Sequence, residues 1–135
     1  MDAALVRYIW QRAGDCCEYC RIAQPWDDAP FEIDHIIARK HGGLTIVSNL
    51  ALSCLHDNSH KGPNVAGFDP KTRQLVPLFN PRRQKWNRHF RWRGAYLVGR
   101  TPIGRATVSV LNINDPFRLT LREGLIEEGL FPPLP

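Results

Sequence analysis

The sequence has no apolar run that approaches the ~20 residues of a membrane-spanning helix. Its N-terminus carries the acidic Asp2 and lacks the basic head, apolar stretch and small-residue cleavage site of a secretory signal. Repeats, low-complexity tracts and long linkers are also absent. We therefore expect one domain over residues 1–135, located in the cytoplasm and without membrane contact.

Cysteine is scarce, with four residues at positions 16, 17, 20 and 54. Cys17 and Cys20 form a C-x-x-C pair, which without a secretion signal indicates metal or redox chemistry rather than a structural disulfide. A thioredoxin-like redox pair lies between a strand and a helix of a βαβ unit, and nothing around Cys17 predicts one. The pair is better interpreted as half of a zinc site, provided that further ligands follow.

The charge is unbalanced towards the basic side. Lysine and arginine outnumber aspartate and glutamate 18 to 13, which gives a net charge of +5 and a pI of about 9.3. Such a surplus favours polyanionic partners such as nucleic acid, although a solvated basic surface explains it equally well.

Hydrophobic patterns and turn residues predict an α+β fold. The first part of the chain predicts a helix over residues 3–12, a short strand over 31–37 and a short helix from near Asp57 to Lys61. The second part predicts a hairpin and a final helix. The hairpin strands are expected at 96–99 and 106–111, and the helix is expected from Asp115 to Gly129.

The residues that carry chemistry begin with Asp34 and His35, side by side on the predicted strand. Neighbours on a strand point to opposite faces, so one can hold a metal while the other handles a proton. A His-Gly-Gly turn follows at residues 41–43, and Asn49 and Asn58 follow His35 by 14 and 23 residues. Phosphodiester hydrolysis needs such a set: a metal, a base for water and a group that aims the base.

Together these residues resemble the HNH endonuclease family, closely over about residues 14–64. The segments at 17–21, 33–38, 48–52 and 60–64 are similar to those of small stand-alone bacterial HNH nucleases. The resemblance implies a ββα-metal finger with an N-terminal helix. Residues 65–135 would then form a β-hairpin plus helix extension.

The resemblance also implies a function, which is metal-dependent hydrolysis of phosphodiester bonds in DNA, with duplex DNA expected. His35 would be the general base, because an imidazole titrates near neutral pH. Asn49 would brace the loop and orient the His35 ring. Asp34 and Asn58 would hold Mg²⁺ or Mn²⁺ through hard oxygen atoms.

Zinc-bearing members of the family have two C-x-x-C pairs, and here the second pair is incomplete. It begins at Cys54, but Asp57 stands where a cysteine is expected. Three alternatives follow. Cys17, Cys20, Cys54 and Asp57 hold Zn²⁺ together, because carboxylate oxygen is an accepted zinc ligand. Alternatively, Cys16 or His56 supplies the fourth ligand, or packing alone holds the finger without zinc.

Basic residues near the motif and in the stretch 82–93 are the candidates for phosphate contact. Tryptophans in that stretch belong either beside the substrate or in the core. A non-catalytic, zinc-finger-like nucleic-acid-binding module is the alternative to a nuclease, and a relic interaction domain is a second one. The candidate contacts are Arg39, Lys40, His60, Lys61, Arg82, Arg83, Lys85, Arg88 and Arg91.

Overall fold

The computed structural model describes residues 1–133, and within them the fold is a mixture of helices and short antiparallel strand pairs. The α+β class predicted from the sequence is confirmed. The helices are α1 (Ala3–Ala13), α2 (Leu55–Lys61), α3 (Trp86–His89), α4 (Pro102–Val110) and α5 (Pro116–Glu127). The strands are β1 (Glu32–His35), β2 (Leu50–Ser53), β3 (Ala66–Phe68), β4 (Leu75–Pro77), β5 (Phe90–Arg93) and β6 (Tyr96–Gly99).

Helix α1 supports the central strand pair. Asp2 caps its start by accepting a hydrogen bond from the Leu5 amide at 2.8 Å, and Gly14 ends it in the left-handed conformation with φ of 62°. Near its end, Arg12 donates hydrogen bonds to the carbonyls of Val47 and Leu50. These bonds fix the helix against the start of β2.

Strands β1 and β2 pair antiparallel, and helix α2 follows β2 directly. In the register of the pair, Asp34 lies opposite Ala51 and His35 opposite Leu50. The Cys54 sulfur caps α2 by accepting a hydrogen bond from the Asp57 amide at 3.3 Å. The helix packs on β1, so its side chains lie near those of Asp34 and His35.

The predicted pairing of residues 96–99 with 106–111 is wrong. Strand β6 pairs with β5, and residues 102–110 form helix α4. The β-branched composition of this segment suggested a strand, but the Thr101 hydroxyl caps the helix by accepting from the Gly104 amide at 3.0 Å. Pro102 then supplies a favourable first helical residue.

Two glycines let α4 pack closely against its neighbours. A Cβ atom at Gly99 would lie 2.4 Å from the Arg105 amide nitrogen, and one at Gly104 would lie 2.0 Å from the His89 carbonyl oxygen. No other residue leaves the backbones room to approach this closely.

One cluster of buried side chains contains residues from both halves of the chain, including Tyr19, Leu50, Phe79 and Leu97. Trp86 belongs to this core, and its indole nitrogen donates a hydrogen bond of 2.8 Å to the Tyr19 carbonyl. The second half therefore packs against the segment that holds the sequence motifs. Among the described helices, none is long and apolar enough to cross a membrane.

Candidate active site and metal centre

A polar cleft of about 300 Å³ lies beside β1 and α2. Asp34 and His35 reach it from β1, and Asn58 reaches it from α2. The three residues that the sequence predicts as base and metal ligands therefore share one cleft. Its full lining is Ile33, Asp34, His35, Ala38, Arg39, Asn58, Gly62 and Pro63.

The His35 ring is held by a hydroxyl group. Its Nε2 atom lies 2.8 Å from the Thr45 hydroxyl oxygen. Asn49, expected to orient this ring, bonds the backbone of the intervening loop instead. Its side chain accepts from the Ile37 amide at 2.8 Å and donates to the carbonyls of Ile37 and Leu44 at 3.0 and 2.9 Å. Asn49 thus fixes the loop, and Thr45 fixes the ring.

Gly43 makes this loop compact. A Cβ atom at this position would lie 1.7 Å from the Ile37 carbonyl oxygen and 2.9 Å from the Asn49 amide nitrogen. A larger residue would displace the hydrogen bonds that Asn49 makes. The second glycine of the His-Gly-Gly turn is therefore required by close backbone contact.

Asp34 is buried and already has two partners. The Tyr19 hydroxyl donates to its Oδ2 atom at 2.8 Å, and the Lys61 ammonium lies 3.2 Å from Oδ2 and 3.3 Å from Oδ1. Burial raises the pKa of Asp34, and the charge of Lys61 opposes that shift. The carboxylate is thus placed by one residue of the C-x-x-C segment and one of α2.

Lys61 does not fit its expected role as a phosphate contact. Its side chain is 2% exposed, and its ammonium also donates to the carbonyls of His35 and Ile36 at 3.3 and 3.0 Å. An ammonium with these partners neutralises Asp34 and ties α2 to β1. It cannot reach a bound polyanion without breaking them.

Asn58 is oriented by a carboxylate. Its amide nitrogen donates to Glu32 at 3.0 Å, a bond that leaves the carbonyl oxygen of the same amide unused. A carboxylate oxygen and an amide oxygen that line one cleft suit a hard divalent cation. The donor set of Asp34 and Asn58 therefore fits such an ion, with Lys61 as a competing positive charge.

The second cluster lies in the interior. Cys17, Cys20, Cys54 and Asp57 are all buried, and their candidate ligand atoms lie within 4.8 Å of one another. The Cys17 sulfur is 3.2 Å from Asp57 Oδ2, and the sulfurs of Cys20 and Cys54 are 3.8 Å apart. Sulfur atoms bound at ~2.3 Å to a tetrahedral zinc ion are also about 3.8 Å apart.

The chemistry of this cluster also suits a metal. Asp57 Oδ1 is buried and has no hydrogen-bond partner within the described residues. Burial and then the negative charge of Cys20 raise the pKa of Asp57, and a bound cation would oppose this shift. The three cysteines and one aspartate therefore fit a metal ion and form a candidate metal-binding site.

The other ligand candidates lie elsewhere. Cys16 forms a backbone bridge with Ala23 and is not part of the cluster. The His56 ring is bonded to the Asn112 carbonyl at 2.8 Å. The four-residue set was one of three alternatives in the sequence, and the structure brings together that set.

Comparison with family models gives a match within this part of the chain. The model described as HNH endonuclease matches residues 17–64. These residues are similar to an HNH endonuclease domain. The matched HNH segment contains both the cleft and the cysteine cluster, and the resemblance seen in the sequence is confirmed. Comparison with curated proteins and with solved structures gave no match. The HNH family is one of endonucleases, so the match supports a nuclease.

The basic residues predicted as nucleic-acid contacts differ in their exposure. Arg82 pairs with Glu18 and donates to the Leu50 carbonyl at 3.3 Å, so it braces the HNH domain from the second half of the chain. Lys61 is buried, as described above. The exposed members are Arg39, Lys40, His60, Arg83, Lys85, Arg88 and Arg91.

Three residues that orient the side chains of the cleft were not predicted from the sequence: Tyr19, Glu32 and Thr45. Tyr19 lies inside the C-x-x-C pair, but its partner Asp34 is 15 residues away. Glu32 bonds Asn58 across 26 residues. Only folding joins these pairs, and spacing alone gives no signal for them.

Proposed function

We propose that this protein is a metal-dependent endonuclease that hydrolyses phosphodiester bonds in DNA. The observation that carries the proposal is the shared cleft of Asp34, His35 and Asn58 within the HNH segment. A base and two oxygen ligands that face one space are the groups needed to cut a phosphodiester bond.

His35 is the general base in this proposal. We assign the Nε2 proton to the hydrogen bond with Thr45, which leaves the lone pair on Nδ1. Nδ1 then takes a proton from the water that attacks phosphorus. The loop held by Asn49 keeps Thr45, and hence the ring, in place.

Asp34 and Asn58 hold Mg²⁺ or Mn²⁺. A carboxylate has about four lone-pair sites, so Asp34 can accept from Tyr19 and Lys61 and still bind a cation. Asn58 offers the amide oxygen that its bond to Glu32 leaves unused. When bound, such an ion supplies positive charge to the scissile phosphate and the leaving oxygen.

The cysteine cluster holds structural zinc. Its four ligands are buried and come from the C-x-x-C segment and the start of α2, so zinc would tie these two parts of the HNH domain together. A closed set of four protein ligands is typical of a structural rather than a catalytic zinc site.

DNA, in its double-stranded form, is the proposed substrate. The net charge is +5, and the exposed Arg39 lines the active cleft. Arg83 lines a neighbouring cleft of about 320 Å³, and Ile36 and Ile37 form another part of its wall. Exposed arginines beside the cleft can neutralise backbone phosphates on either side of the scissile bond.

A plasmid-nicking assay with Mg²⁺, Mn²⁺ and EDTA tests this function. We expect His35→Ala to reduce cleavage at least about 100-fold while the melting temperature and DNA affinity stay unchanged. His41→Ala is the matched control, because His41 is exposed on the adjacent loop and does not line the cleft. Undiminished cleavage by His35→Ala would exclude the mechanism, and competition with RNA would test the choice of DNA.

A non-catalytic nucleic-acid-binding module is the second candidate. The observation that favours it is the buried ion pair of Lys61 and Asp34, because the lysine side chain competes with a metal ion for the Asp34 carboxylate. This function predicts DNA binding at low salt and no cleavage with any divalent metal. The same nicking assay therefore separates the two candidates.

A further inference from the structure

Unsatisfied polar atoms point to a second use of the C-terminal helix. Within residues 1–133, four buried side-chain nitrogen or oxygen atoms have no hydrogen-bond partner. One is Asp57 Oδ1 of the cysteine cluster, and two belong to arginines of α5, Arg118 Nε and Arg122 Nη1. The fourth is Arg12 Nε. Arg118 and Arg122 are one helical turn apart and share a face of α5.

Arg122 is a fully buried cation, and within residues 1–133 it has no acidic partner in an ion pair. Its side chain is 0% exposed and donates to the carbonyls of Ala95 and Ile113, at 2.8 and 3.0 Å, and to Asn114 Oδ1 at 3.2 Å. None of the ion pairs within the described residues includes it. A buried charge with neutral partners alone is costly, so a negative group is expected nearby.

The start of α2, which carries the cluster residue Asp57, meets the same loop as Arg122. His56, next to Asp57 in α2, contacts the Asn112 carbonyl, and Arg122 contacts the carbonyl of the following residue, Ile113. Burial lowers the pKa of Arg122, and the negative charges of Cys20 and Asp57 oppose this shift. Burial also acts against the charged form of Arg118, but Cys20, Cys54 and its pairing with Asp27 outweigh it, so its pKa is raised.

The metal-bound cluster would carry a net negative charge, which nearby positive side chains can offset. Three thiolates and one carboxylate bring four negative charges to a divalent ion, which leaves an excess of two negative charges in the interior. Arg118 and Arg122 bring two positive charges and Asp27, paired with Arg118 at 3.0 Å, brings one negative charge, so together they offset one of the two excess charges.

We propose that Arg118 and Arg122 balance the charge of the metal centre, so that α5, which lies outside the matched segment 17–64, is a working part of that centre. The inference rests on the proposed zinc site. It assigns to the C-terminal helix a role that the family match does not cover. Zinc binding to the three-cysteine, one-aspartate set should be strengthened because part of the excess charge is neutralised from outside the ligand set.

Zinc affinity, measured by competition with a chromophoric chelator, tests the proposal in the full-length protein. We expect Arg118→Gln and Arg122→Met each to weaken zinc binding about tenfold. Arg118→Lys and Arg122→Lys keep the charge and should restore most of the affinity. Arg105→Met is the matched control, because it breaks a buried ion pair with Asp69, in the turn after β3, and should leave zinc affinity unchanged.

Two further variants separate charge balance from support of the fold. Asp27→Asn removes the partner of Arg118 but keeps the arginine charge, so zinc affinity should be retained. Asp57→His lowers the excess negative charge to one, so Arg118→Gln should cost less affinity in that background.

Two results would overturn the inference while zinc is still bound. The first is an Arg118→Gln affinity within twofold of wild type, and the second is an equal loss in Asp27→Asn. A wild-type protein that binds no zinc would overturn the inference together with the proposed zinc site.

Discussion

The cleft at His35 and the cysteine cluster lie on either side of the same short helix, α2. The polar groups of the two sites differ in their exposure and in their hydrogen bonding. The cleft is open, and His35 and Asn58 are half-buried at its wall, although Asp34 is buried. The cluster is closed, and all four of its ligand candidates are buried within 4.8 Å of one another. The cleft residues have partners that orient them, whereas one oxygen of Asp57 has no partner in the part of the chain that the structure describes.

This difference bears on the metal proposed for each site. Soft sulfur atoms in a closed set favour zinc and exclude water, which suits a structural role. Oxygen atoms in an open cleft favour Mg²⁺ or Mn²⁺ and leave room for a phosphate. Loss of the cluster metal should therefore affect stability, and loss of the cleft metal should affect only chemistry.

The largest expected effect is that of Cys20→Ser, which removes one candidate ligand from the closed cysteine cluster. A serine hydroxyl does not replace a thiolate, so we expect loss of zinc and a fall of at least about 3 kcal/mol in the free energy of unfolding. Thermal melting and the zinc content of purified protein measure both effects. Cys16→Ser is the matched control, since Cys16 lies outside the cluster. Equal melting temperatures for the two variants would mean that the cluster does not stabilise the fold.

Asp57→Cys should complete a set of four thiolates in the same cluster. Because zinc is a borderline-soft ion, we expect zinc affinity to rise about tenfold while the rate of plasmid nicking in excess Mg²⁺ stays the same. Asp57→Asn, of similar size but without charge, should weaken zinc binding. A change in nicking rate would show that the cluster and the cleft are not functionally separate.

The smallest expected effect is that of Tyr19→Phe, which tests the contact between the two sites. Tyr19 lies between Cys17 and Cys20, and its hydroxyl holds Asp34 in one orientation. Loss of one hydrogen bond of about 1 kcal/mol should weaken Mn²⁺ binding at the cleft about fivefold, with unchanged zinc content. Calorimetric titration with Mn²⁺ measures the change, and Tyr8→Phe, on the exposed face of α1, is the control. Unaltered Mn²⁺ affinity would mean that Tyr19 does not position Asp34.

The sequence predicts these two regions unequally. Spacing, residue type and the family resemblance predicted Asp34, His35 and Asn58 as site residues, and the structure places them on β1 and α2 beside one cleft. The environment of these residues was not predictable. Thr45 at the ring and Lys61 at the carboxylate depend on how the loop and the helix fold back on β1, and neither pattern nor charge indicates that.

The second half of the chain was predicted less well. Residues 106–111 were expected to form a strand because they are rich in valine, yet the Thr101 cap and Pro102 favour a helix. The buried state of Arg122 could not be predicted either, since an arginine on an amphipathic helix is ordinarily expected at the surface. Its burial follows from tertiary contacts with Ala95 and Ile113.

Because both sites take residues from α2, the length of the chain at the start of this helix is restricted. Asp57 and Asn58 are adjacent, and successive residues of an α-helix project about 100° apart, so one faces the cluster and the other the cleft. An inserted residue between Cys54 and Asp57 would rotate both side chains away from their sites at once. The exposed turn at 70–74 carries no such constraint and should accept insertions.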